Sequence, residues 1–138
     1  MESNKFENLE KAGPVILRFG LAIVFLWFGF SQLANPTQWT SFLPSFISIA
    51  PISAVKFVLL NGWFEIVGAV LLILGTYTRP VALLLALHLF GITFTIGWNA
   101  LGIRDFGLSI ATLVIFLQGA GGFSVDNFKE RTSTGLSQ

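Results

Sequence analysis

Ala54-Val-Lys-Phe-Val-Leu-Leu-Asn-Gly-Trp-Phe-Glu-Ile-Val-Gly-Ala-Val-Leu-Leu-Ile-Leu74 is apolar over nearly its whole length. A hydrocarbon core of ~30 Å requires about 20 such residues of helix, so this run is long enough to cross a bilayer. Glu65 sits near its middle. A carboxylate charge stranded among lipid tails costs at least about 2.5–3.5 kcal/mol, so Glu65 should be paired, protonated or turned toward a polar cavity. A second ionisable side chain, His88, falls inside the next apolar run. The two together suggest helices that enclose something polar.

Working outward, runs at about 14–34, 80–98 and 103–120 repeat the pattern. The chain of 138 residues has 11% charged residues and a mean hydropathy of +0.77, against a charged fraction of about 25% in soluble domains. The runs are apolar on every side, whereas barrel strands would alternate over about 10 residues. The fold expected is an all-α membrane protein, a four-transmembrane-helix bundle. Residues 1–13 read as a polar N-terminal segment, 14–126 as the transmembrane domain and 127–138 as a disordered C-terminal tail. The first run is longer than a signal-peptide core and lacks a clear cleavage site, so it is kept as a helix.

The connections are unequal. Gly75 to Arg79 is a tight turn, with Gly75 suited to a helix C-cap and Pro80 to a helix start. The segment 35–53 carries three prolines yet keeps Trp39, Phe42, Leu43, Phe46, Ile47 and Ile49. It reads as an amphipathic or re-entrant outer loop, a lid over the bundle. With four spans the termini share a side, holding Lys5, Lys11, Arg18, Arg79, Lys129 and Arg131 against Lys56 and Arg104 opposite. The positive-inside rule places that side in the cytoplasm.

Residues three, four or seven apart share a helix face. The first helix aligns Arg18, Ala22, Phe25, Gly29 and Gln32; the second Asn61, Gly62, Glu65, Gly68 and Ala69; the third His88, Gly91 and Thr95; the fourth Asp105, Ser109 and Thr112. At 1.5 Å rise per residue Glu65 lies roughly 15 Å from the cytoplasmic ends, His88 roughly 12 Å and Arg18 roughly 6 Å. Glu65 and His88 are therefore expected to meet, as the catalytic or proton-handling pair. Arg18 is expected to reach Glu65 from below. Asn61, Trp63, Arg104 and Asp105 are candidates for ligand binding or charge pairing, Asp105 also as the N-cap of the fourth helix.

The chain has no cysteine and one histidine. Thiolate redox chemistry, iron–sulfur ligation and bis-histidine haem are therefore not expected from this chain alone, and no metal site is read from it. A net charge of +1 without a basic patch gives no sign of nucleic acid. Small-residue faces such as Ala82 and Ala86 permit a homo-oligomer.

Taken in order, these residues resemble the DoxX/DoxD family of small four-helix membrane proteins. Leu17-Arg-Phe-Gly-Leu-Ala-Ile-Val-Phe-Leu-Trp-Phe-Gly-Phe-Ser-Gln-Leu33 is similar to the family's Arg-x-x-x-Gly/Ala stretch leading to Phe-x-x-x-Gly-x-x-Lys-Leu, with Gln32 in place of the lysine. Glu65 to Arg79 resembles Glu-x-x-Gly-x-x-Leu-x-x-Gly-x-x-x-Arg, and Gly121-Gly-Phe-Ser-Val-Asp126 resembles Gly-x-Tyr-Ser-Leu-Asp. The resemblance implies a prokaryotic plasma-membrane protein. Family members are associated with quinol oxidase complexes, with thiosulfate:quinone oxidoreductase and with assemblies handling oxidative or thiol stress. The leading expectation is therefore a membrane subunit of a quinone-linked oxidoreductase, with quinone as the ligand and a redox or assembly partner as the source of electrons. The alternatives are a non-catalytic scaffold or assembly factor, and a small transporter or proton path.

Overall fold

The computed structural model describes residues 2–135, with side chains for 10–133. Helix α1 spans Glu2–Ala34, a short α2 Pro36–Trp39, α3 Ala54–Leu74, α4 Thr78–Ile96, α5 Ala100–Gln118 and α6 Val125–Gly135. Two 3-10 turns, Thr40–Phe42 and Ser45–Ile49, follow α2. Four segments, Glu10–Ala34, Ala54–Leu74, Thr78–Ile96 and Ala100–Gln118, are long and apolar enough to cross a membrane. Their outward faces carry Ile16, Ile23, Trp27, Phe30, Leu60, Trp63, Leu84 and Phe94 exposed. Such a surface suits lipid rather than water.

Local chemistry sets the ends of these helices. Ser53 Oγ accepts from the Lys56 amide at the start of α3. Gly75, at φ +64°, closes α3 in the left-handed conformation, with the Gly75 and Thr76 amides returning to the Leu72 and Leu71 carbonyls. Glycine adopts that conformation without steric cost. Asn99 Oδ1 accepts from the Leu101 and Gly102 amides at 3.0 and 3.1 Å, so α5 begins at Ala100. Asp105 is thus not the N-cap anticipated from the sequence; it lies inside α5 and is buried.

The spans form two tight pairs, α1 with α3 and α4 with α5, with fewer contacts between the pairs. Leu21, Ala22, Phe25, Ala69, Leu72, Ala82, Leu85 and Ile115 fill the core between them. Ala82 and Ala86 are completely buried in this core. That small-residue face packs within the chain and is not free for a second copy.

The tail reading needs correction over its described part. Residues up to Gly135 continue as helix α6, and 136–138 lie outside the described residues. The physical reason is anchoring at the helix start. Ser124 Oγ accepts from the Asn127 amide, the Asp126 amide donates to the Gly75 carbonyl, and the Asp126 carboxylate accepts from the Tyr77 and Thr78 amides at 3.0 and 2.9 Å. Asp126 thereby caps α4 from another helix, at a start where no side-chain cap comes from the N-cap residue, Tyr77.

Candidate functional site

The site begins at a glycine crossing. A Cβ on Gly29 would stand 2.8 Å from the Gly62 carbonyl oxygen, and one on Gly62 would stand 2.9 Å from that of Gly29. Only hydrogen at both positions lets α1 and α3 approach so closely. Gln32 sits across from Gly62 and Ile66 across from Gly29, so Gln32 and Glu65 lie on either side of the crossing and their side chains meet over it.

Glu65 is 3% exposed, and side chains from three helices surround its carboxylate. Gln32 Nε2 donates to Oε2 at 3.0 Å, Asn61 Nδ2 donates to Oε1 at 3.1 Å, and His88 Nε2 lies 3.3 Å from Oε1. Asn61 Nδ2 also donates to Gln32 Oε1 at 2.8 Å. The buried carboxylate is thus hydrogen-bonded on both oxygens, which offsets the loss of water around it. His88 is pinned edge-on against Phe64 at 5.1 Å between ring centroids, and its side chain keeps 21% exposure.

These four residues form one wall of a cavity of about 560 Å³. Its other walls are largely apolar, aliphatic residues together with Phe25 and Phe28 from α1, Trp39 and Phe42 from the outer loop, and Phe57 from α3. A second polar patch comes from α5. Arg104 donates to Asp105 Oδ1 through Nε at 2.9 Å and Nη2 at 2.8 Å, and its guanidinium stacks 4.7 Å over the Phe28 ring. Both Arg104 and Asp105 line the cavity. The loop 35–53 covers it as the sequence suggests, tied down by Phe28 against Trp39 and Trp39 against Phe42 at 5.7 and 5.9 Å.

Of the residues anticipated from sequence, the structure therefore brings together Glu65, His88, Asn61, Arg104 and Asp105 around one cavity. Two do not join them. Trp63 is 57% exposed on the outward face of α3, because it neighbours Gly62 in sequence and points away from the crossing. Arg18 is completely buried but far from Glu65. It bonds the Ala120 and Phe123 carbonyls in the α5–α6 connection. The expected Arg18–Glu65 pair is absent because α3 lays Glu65 against the Gln32 end of α1, about 21 Å along the helix from Arg18.

Gln32 belongs to the site although it is not among the candidates named from the sequence. Its signal was the matching Gly-x-x-polar spacing at Gly29–Gln32 and Gly62–Glu65. The His88, Gly91 and Thr95 face of α4 is the one turned to this site. It borders the cavity, while Val81, Ala82, Leu85, Ala86, Leu89 and Thr93 face the core.

Four apolar spans closing over a buried polar cluster define a multi-pass membrane protein seated in the lipid bilayer. The DoxX family model matches residues 13–98, and the chain belongs to that family. The match covers Gln32, Asn61, Glu65 and His88; Arg104, Asp105 and Asp126 lie beyond it. No curated protein and no solved structure matches the chain.

Proposed function

We propose that this protein is the membrane subunit of a quinone-linked oxidoreductase in a prokaryotic plasma membrane, with both termini cytoplasmic and a quinone headgroup held in the α1–α3–α4–α5 cavity. The supporting observation is the cavity itself: apolar walls that include several aromatic rings, with hydrogen-bonding groups gathered at Glu65 and at Arg104. Its volume of about 560 Å³ falls within the range of about 300–1,000 Å³ usual for small-molecule sites. The residues fit the group. A quinone is a flat ring bearing carbonyl acceptors, and His88 and Arg104 supply donors beside Phe25 and Phe28.

When bound, the quinone would accept electrons from a partner chain, together with protons. Glu65 would hold the proton to be delivered, and His88, 3.3 Å from Oε1, would carry it toward the cavity. Gln32 and Asn61 would orient the carboxylate. Arg104 would bind the ring's second polar edge, held in place by Asp105 and Phe28. The aromatic lid would exclude water.

The test is quinone extraction from protein purified out of native membranes, paired with Glu65→Gln. Quinone should co-purify, and Glu65→Gln should retain it while lowering quinone-dependent electron flow in the host membrane. Protein free of quinone, with respiration unaltered by Glu65→Gln, would sink the proposal.

A further inference from the structure

Helices α3 and α4 leave the turn at 75–77 in close contact and then part. Near the turn a Cβ on Gly68 would stand 3.0 Å from both methyl carbons of Leu85. At Gly91, further along α4, an added Cβ would meet nothing within 4 Å. The cause lies in the pairing of the bundle. Beyond Glu65, α3 is drawn onto α1 by the glycine crossing, while α4 follows α5. A slot opens between the two helices over the half of the membrane that carries the outer loop.

Phe57 and Asn61 from α3 and Leu87, Gly91 and Thr95 from α4 line the cavity on this side. Residues 87, 91 and 95 fall on one face of α4, spaced four apart. Leu87 is 57% exposed, and Gly91 and Thr95 are exposed too. The Thr95 hydroxyl turns back to the Gly91 carbonyl at 2.9 Å, so this edge offers lipid no free polar group. On the outer side the path is instead covered by the interlocked rings of Phe28, Trp39 and Phe42.

We propose that this slot is a lateral portal for a lipid-soluble ligand with one long hydrocarbon tail, whose head reaches Glu65 and His88 while the tail trails past Gly91 into the membrane. The inference rests on the quinone reading above and specifies its substrate class: a long-tailed isoprenoid quinone, not a tail-less, water-soluble one. A tail lying in the slot buries methylenes against Phe57, Leu87 and the Gly91 backbone, a gain denied to a bare ring. Gly91 is the position where chain and ligand exclude one another. It has room for a tail because it has no side chain.

The experiment compares two probes on the full-length protein in nanodiscs: a long-tailed isoprenoid quinone and the same ring without its tail. Gly91→Trp fills the slot from an open, exposed position, and Leu87→Trp does so one turn away. Each variant should lower affinity for the tailed quinone by about tenfold or more relative to any change for the tail-less ring, the loss of about two buried methylenes. Equal losses for both probes in both variants, or tailed binding left intact, would overturn the portal while leaving the quinone site standing. If the unsubstituted protein binds neither probe, the quinone reading falls and the portal with it.

Discussion

Gln32 Nε2 donates to Glu65 Oε2 at 3.0 Å, joining the outer end of α1 to the middle of α3. The contact exists because Gly29 and Gly62 let the two helices touch between these residues. Its partner Asn61 completes a closed triangle of side chains in which each bonds both others. A carboxylate held this way inside a bilayer is oriented as well as tolerated.

Removing Gln32 should expose the cost of that burial. Gln32→Leu withdraws a donor from Glu65 and an acceptor from Asn61, and is expected to destabilise by about 1–3 kcal/mol. Gln32→Lys, which restores the residue expected from the family resemblance, places an ammonium beside the carboxylate and should recover most of the loss. Thermal unfolding of the three proteins in one detergent is the check. Equal melting temperatures would mean that the triangle contributes little.

The glycine crossing should be intolerant of any side chain. A Cβ on Gly29 would stand 2.6 Å from Ile66 Cγ1 as well as 2.8 Å from the Gly62 carbonyl oxygen, so the helices must separate. Gly29→Ala is expected to cost about 1–3 kcal/mol and to weaken quinone binding as Gln32 moves away from Glu65. Gly107→Ala, where an added Cβ meets nothing within 4 Å, is the matched comparison and should be close to neutral. A crossing variant as stable as that one would contradict the packing described.

Arg18 should behave as a brace for the end of the bundle where α5 turns into α6 and not as part of the proposed quinone site. Its guanidinium holds two carbonyls, those of Ala120 and Phe123, and charge-assisted bonds of this kind are strong. Arg18→Met should destabilise by about 2–4 kcal/mol, while quinone affinity of the folded fraction stays the same. Arg18→Lys should recover only part of the stability, because lysine lacks the guanidinium fork. A selective loss of quinone binding with unchanged stability would return Arg18 to the site.

Asp126 provides a pH-dependent stability term. Burial pushes its carboxyl up, but the Thr78 and Tyr77 hydrogen bonds and the nearby Lys129 together hold it below the usual carboxylate range. A depressed folded pKa stabilises above the unfolded value and is lost as pH falls through the folded one. The latch from α6 to the start of α4 should therefore be intact above about pH 5 and weaken below about pH 4. Asp126→Asn should be less stable than the unsubstituted protein at pH 7 and should flatten this acid dependence. Parallel acid profiles for the two proteins would rule the latch out.

Much of this was legible in the chain. Periodicity and length placed four spans because hydrophobic run length is set by bilayer thickness, whatever the neighbours are. Depth along a helix follows from rise per residue, so the meeting of Glu65 with His88 could be anticipated. The cap of α5 at Asn99 follows from the same principles, yet the charged Asp105 is the more conspicuous capping candidate. The fate of Arg18 does not, since its partners are backbone carbonyls from the far end of the chain. A carbonyl carries no sequence signature.

By itself the sequence determined the membrane class, the number of spans and the polar residues that had to be hidden, because the free energy of placing each side chain in lipid is a local property. Only the tertiary structure decided which of those residues meet. Glycine contacts at Gly29 and Gly62 chose the α1–α3 pairing and thereby gave Glu65 to Gln32 instead of Arg18. The splay of α3 from α4 followed from that pairing, and with it the cavity. Such choices depend on the distance between backbones, which no single helix encodes.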